Sequence, residues 1–222
     1  MRTNYLRKVE NIMERVLILS PHTDDAELGC GGFICKLLER NIKIFWIVFS
    51  TAKESLPKNY PSNILVKEFM SVIELLGLDK SGYLIENFQV RKLTEKRQEV
   101  LEILVNIGKK FKPDLVIGPS VHDYHQDHLV VANEMIRAYK MRSSIICYEL
   151  PWNQIFFQSQ FFVKLDEKHI KNKIKILNQY QSQINQSKSY FSKDFIRGLA
   201  STRGAQIGYK YAEAFEVIRW IM

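Results

Sequence analysis

The stretch LILSPHTDDAELGCGG, Leu17–Gly32, decides how this chain is read. It continues a run, Val16–Ser20 (VLILS), that is apolar at every position but the last, the pattern of a strand buried on both faces of a sheet. Pro21 stops the run. His22, Asp24 and Asp25 then stand between the strand and a glycine-bearing segment, Leu28–Arg40, whose apolar residues recur at helical spacing. A buried strand that empties through a polar turn into a helix is the opening of a crossover unit in a parallel sheet.

The same signature recurs along the chain. Lys43–Thr51 (KIFWIVFST), Leu115–Ser120 (LVIGPS) and Ser144–Leu150 (SIICYEL) read as further buried strands, and Ser62–Leu76 and Thr94–Phe111 as intervening helices. A further helix is expected to begin at Asp127 or His128 and run through LVVANEMIRAYK. Strands alternating with helices predict an α/β fold, a three-layer sandwich with a mostly parallel sheet. No repeat or linker divides the 222 residues, so a single domain over 1–222 is expected.

In such a sheet, ligands gather at the carboxyl ends of the strands. The turn after VLILS and the segment SVHDYHQDH, Ser120–His128, both follow strands and are therefore expected on one edge. Of the five histidines, four fall in these two segments and only His169 lies elsewhere. His22 and Asp25 are three residues apart, as are His125 and His128. Two imidazoles and a carboxylate converging on one point would hold a catalytic zinc or iron(II) with a position left open. The adjacent Asp24 and Asp25 then divide the work, one ligating the metal and the other acting as base toward water. The competing role for either aspartate is to cap the following helix. LGCGGFI lacks dinucleotide-binding spacing, and its glycines are read as permitting close helix packing.

Composition bounds the rest. Hydrophobic content of 46% with 25% charged residues is that of a globular chain, and no apolar run is long enough to span a membrane. The first twenty residues do not read as a secretory leader, and the odd count of three cysteines, Cys30, Cys35 and Cys147, carries no disulfide framework, so a cytoplasmic location with free thiols is expected. The formal net charge of +8 favours anionic partners. Many of the lysines lie in KLDEKHIKNKIKILNQYQSQ, Lys164–Gln183, and are read as a solvated helix face rather than a nucleic-acid surface.

Four stretches together resemble a known family. PHTDDAELGCGG is similar to the P-H-P-D-D-E-x-x-G-C-G-G signature of the PIG-L/LmbE-like de-N-acetylases, and HQDH to their H-P-D-H segment. VKEFMSVIELLGL resembles the family's glutamate-bearing helix, and LASTRGAQIGYKYAEAFEVIRW its bacterial C-terminal pattern. The resemblance implies a Rossmann-like sandwich and a zinc-dependent hydrolase that removes the acetyl group from an N-acetylated sugar, including a sugar phosphate or nucleotide sugar. It implies His22, Asp25 and His128 as metal ligands and Asp24 as general base. His125 would stabilise the oxyanion or hand a proton to the leaving amine, and Asp127 would orient a neighbouring imidazole. Departures are Thr23 for the usual proline, Ala26 with Glu27 one place late, and Leu65 where an arginine that commonly meets substrate would align. Loop Thr51–Pro61 and the surroundings of Trp152 are the candidates for shaping specificity. Hydrolysis of another amide or ester, a non-catalytic metal-containing binding protein, and nucleic-acid binding are the alternatives. A homo-oligomer is compatible with the sequence.

Overall fold

The computed structural model describes residues 13–221; residues 1–12, on which the leader reading partly rests, and residue 222 lie outside it. Seven strands are threaded in chain order as β1 (Arg15–Ser20), β2 (Lys43–Val48), β3 (Tyr83–Ile85), β4 (Leu115–Pro119), β5 (Ser144–Tyr148), β6 (Phe161–Leu165) and β7 (Tyr211–Arg219). They form one sheet in the order β3-β2-β1-β4-β5-β7-β6. The pairings from β3 through β5 are parallel, and β7 runs antiparallel to both β5 and β6. The fold is therefore α/β with a mostly parallel sheet, as the strand–helix alternation predicts.

Helices α1 (Asp25–Glu39), α2 (Ile64–Leu76), α5 (Glu167–Leu177), the short α6 (Gln181–Ile184) and α7 (Lys193–Ala205) lie on one face, and α3 (Arg97–Phe111) and α4 (Gln126–Tyr139) on the other. Alternation along β1 explains its composition. Val16 and Ile18 enter the core under α1 and α2, whereas Leu17 and Leu19 enter the core under α3 and α4. All four are fully buried, and each contributes about 1.5–3 kcal/mol relative to exposure.

The helix expected from Leu28 begins three residues earlier, at Asp25. It is also bent. Cys30 has non-helical φ −144° and ψ 24°, which frees backbone N–H groups in the next turn. Gly32 N and Phe33 N donate to the two carboxylate oxygens of Glu213 on β7, at 2.9 and 2.7 Å. The second half of α1 thus carries a carboxylate at its start, where the backbone dipoles favour negative charge. Lys173 Nζ, 2.7 Å from Glu213 Oε1, balances that charge. Lys173 belongs to the segment read as a solvated face, and here that reading fails: it is buried, while Lys168, Lys171 and Lys175 are exposed. Helix spacing alone does not reveal a buried partner on a strand some forty residues away.

The glycines of α1 serve close packing. A Cβ on Gly29 would lie 2.5 Å from the Tyr148 ring, and one on Gly32 2.5 Å from Leu165. All three cysteines are free and buried. No helix among the described residues is long and apolar enough to cross a membrane. Replacing Glu213 with alanine leaves Lys173 charged and unpaired in the interior and removes the acceptors of two backbone N–H groups. It is expected to cost about 3–5 kcal/mol, read as a fall in urea midpoint at constant m-value. Glu213→Gln, which keeps one of the two acceptor oxygens, should cost less.

Candidate active site

The sheet order reverses between β1 and β4, which pair directly through Val16–Leu115, Leu17–Val116 and Ile18–Ile117. Such a reversal opens a crevice beyond the carboxyl ends of the two strands. The turn after β1 carries His22, Asp24 and Asp25, and the turn after β4 carries Asp123 and His125 before α4 supplies Asp127 and His128. Residues a hundred positions apart in the chain therefore meet because their strands are neighbours.

Three atoms form a nearly equilateral triangle. His22 Nδ1 lies 3.2 Å from Asp25 Oδ2, His128 Nε2 lies 3.2 Å from the same oxygen, and the two imidazole nitrogens are 3.2 Å apart. A tetrahedral cation with bonds of about 2.0–2.1 Å separates its ligands by about 3.3–3.4 Å. The triangle fits three corners of that figure. The outward nitrogen of each ring is already committed: His22 Nε2 is 3.0 Å from Asp127 Oδ2, and His128 Nδ1 is 2.7 Å from Asp123 Oδ2. Each carboxylate takes the ring proton on its own side and turns the other nitrogen's lone pair toward the triangle.

Charge points the same way. Asp25, Asp123 and Asp127 are all buried. Burial works against protonating His128, yet Asp25 and Asp123 outweigh it and hold the ring up at about 10. His22 is raised in the same way, burial being overcome by Asp25 and Asp127. Burial also disfavours the Asp25 carboxylate, but the two imidazoles hold it well below the ordinary carboxylate range. Three buried carboxylates thus draw positive charge into the site, and a divalent cation would satisfy that demand while leaving both rings neutral.

Asp127 is clamped from behind by Arg91 N at 2.6 Å and Leu93 N at 3.2 Å. Arg91 adopts a left-handed φ of 65°, a strained conformation for a residue with a side chain, to aim its N–H there. Asp123 also accepts from His125 N at 2.8 Å, so it steers one histidine by its ring and another by its backbone. His125 occupies the N-cap of α4, its Nδ1 accepting from Asp127 N at 3.2 Å. Its remaining proton is therefore on Nε2. Burial, with His22 and His128 adding to it, pushes this ring down to about 4 and keeps it neutral. A ligand atom from each of His22, His125 and His128 lies within 4.8 Å of the others.

Asp24 stands at the N-cap position of α1 but caps nothing with its side chain. It lines a cavity of about 200 Å³ together with His22, Asp25, His125 and His128. Burial and the adjacent Asp25 push it up to about 6, against the opposing charges of Lys188 and His22. Ala52, Ser55 and Leu56 of the loop singled out for specificity reach the same cavity, as does Trp152. Glu27 does not. It is buried behind the loop, where the Tyr180 hydroxyl bridges it to the Thr23 carbonyl. The hydroxyl has one proton and the carbonyl can only accept, so the Glu27 carboxyl, which burial lifts well above its ordinary range, supplies the second. That chain braces the loop between the proposed ligands, at the point where threonine replaces the usual proline.

The structure separates one histidine from its neighbours. His122 is half exposed and pairs with Glu216 at 2.9 Å, outside the trio. Asp123, Arg91 and Tyr180 went unnoticed in the sequence. Only Asp123 had a local signal, as an acidic residue two before His125 and five before His128.

The profile of the PIG-L family, described as GlcNAc-PI de-N-acetylase, matches residues 17–139. The chain is 26% identical over 177 residues to the uncharacterized deacetylase YaiS of Escherichia coli K12, covering 78% of this chain and 93% of that protein. Its structure is similar to that of N,N'-diacetylchitobiose deacetylase from Pyrococcus horikoshii, with a TM-score of 0.77 and 19% identity over 98% of this chain and 92% of that one. It is also similar to GalB, the 4-carboxy-2-hydroxymuconate hydratase of Pseudomonas putida KT2440, with a TM-score of 0.74 and 17% identity over 95% and 98% of the two chains.

Asp123→Asn keeps the shape of the residue but removes the charge that fixes the His128 tautomer. It is expected to weaken divalent-metal affinity about 10–100-fold, measured by competition against a chromogenic chelator.

Proposed function

Because the chain belongs to the PIG-L (GlcNAc-PI de-N-acetylase) family, we propose that it is a zinc-dependent hydrolase releasing acetate from an N-acetylated sugar or sugar conjugate. The observation that carries this reading is the triangle of His22 Nδ1, Asp25 Oδ2 and His128 Nε2 facing the cavity that Asp24 and His125 line. His22, Asp25 and His128 would hold the metal, with iron(II) compatible with the same donors. When bound there, the metal supplies a Lewis acid for the acetamido carbonyl and lowers the pKa of water to about 7.

This chain's own residues do the rest. Asp24 takes a proton from the attacking water as the new C–O bond forms. His125 donates a hydrogen bond from Nε2 to the carbonyl oxygen as that oxygen gains negative charge, the task left to a ring whose Nδ1 is already an acceptor. The C–N bond then breaks, and the proton held by Asp24 passes to the departing nitrogen, leaving a free amine and acetic acid, which gives its proton to the medium and departs as acetate. Asp127 and Asp123 keep His22 and His128 in the tautomers that point lone pairs inward. The cavity is smaller than the roughly 300–1,000 Å³ of sites that enclose whole ligands, which suits an acetamido end inserted from an open rim. The similarity to a sugar deacetylase supports the substrate class. The similarity to GalB marks the fold as host to other chemistry, so acetate release has to be measured directly. Three free buried thiols support a reducing compartment, the cytoplasm.

Chelation should abolish acetate release from N-acetylglucosamine derivatives, and added zinc should restore it. Asp24→Asn should retain one metal per chain while losing about 10²–10⁴ in rate. His128→Ala should lose both metal and activity. Normal turnover by the Asp24 variant would overturn this division of roles.

A further inference from the structure

One lining residue takes no part in that chemistry. Lys188 is the single lysine or arginine among the residues that border the cavity. Among the described residues its ammonium pairs with the neutral amide oxygen of Gln183 and with no carboxylate. It lies 6.0 Å above the ring of Tyr190.

Its position is built. Glu68, buried on α2, accepts from Ser182 N at 2.7 Å and from Ser182 Oγ at 2.6 Å, which anchors α6. Gln183 is buried next to that anchor and donates its amide to Ser182 Oγ at 3.3 Å, leaving its carbonyl oxygen for Lys188. Immediately before the lysine, Ser187 is held at a left-handed φ of 56°, against the preference of a residue with a side chain. Tyr190, two residues on, stacks on Trp152 with ring centroids 4.0 Å apart and an interplanar angle of 11°. The aromatic pair and the ammonium therefore border the same cavity as Asp24 and the imidazoles. The apolar Leu65 also borders it and brings no charge.

An ammonium has three donors, and one amide oxygen occupies one of them. A half-buried cation without a counter-ion is costly, and an incoming anion relieves that cost. On the reading that the cavity receives an N-acetylated sugar, we propose that Lys188 is a specificity residue that binds an anionic substituent, phosphate or carboxylate, carried by that sugar. The competing role is electrostatic support of Asp24, which feels the charge of Lys188 from beyond ion-pair distance.

The two roles separate in kcat/KM for N-acetylglucosamine, its 1-phosphate, its 6-phosphate and N-acetylmuramate, measured with the wild-type protein, K188M and K188R. The expected result is that at least one anionic sugar exceeds the neutral one by about tenfold, that K188M removes most of this preference, and that K188R retains it. An equal fractional loss on neutral and anionic sugars in K188M assigns the lysine to Asp24 and overturns the proposal. Binding titrations with glucosamine, its 1- and 6-phosphates and muramic acid read the same contact without turnover. Weakening of anionic binding by about tenfold in K188M supports the proposal even if no sugar releases acetate, in which case the deacetylase reading falls alone. Binding that ignores the substitution overturns the anion site and leaves the deacetylase reading standing.

Discussion

One carboxylate oxygen holds the two halves of the site together. Asp25 Oδ2 accepts the His22 backbone N–H at 2.7 Å and touches both His22 Nδ1 and His128 Nε2. The first contact closes the turn after β1, and the others join that turn to α4. Asp25 can do this because α1 begins at that residue rather than three positions later, so its side chain leaves the first helical turn directed back over the end of β1. If the helix began at Leu28, as its periodicity suggests, the carboxylate would belong to a loop with no fixed direction.

Around that oxygen the design is one of opposed charges under burial. Each acidic residue of the site either meets an imidazole or, as with Asp24, lines the cavity, where burial and the adjacent Asp25 raise it. Asp123 and Asp127 are acceptors for backbone N–H groups as well as for rings, so their positions are fixed from several directions at once. Rigid placement of this kind distinguishes a site that holds a metal in one geometry from a loose acidic cluster.

The parts legible in the sequence were those written in a local pattern. β1, β2, β4 and β5 announce themselves because strands buried on both faces read as unbroken apolar runs, and the site residues because polar clusters follow two of those runs. What escaped is non-local. β3 has three residues, and β6 and β7 lie outside the parallel crossover pattern. The Glu213–Lys173 pair joins a strand to a lysine-rich helix whose sequence looks like surface. The clustering of histidines overstated the case for one of them, since His122 turns to Glu216, which is far away in the chain. Tyr180 carries no local hint of its contact with the loop at Thr23.

The bend at Cys30 ties the first helix to the last strand. The helix bearing Asp25 is completed by an acceptor 181 residues beyond Gly32 and 180 beyond Phe33. A contact between segments so far apart in the chain carries a large loop-closure cost, so those two N–H groups gain their partner only once β7 has joined the sheet.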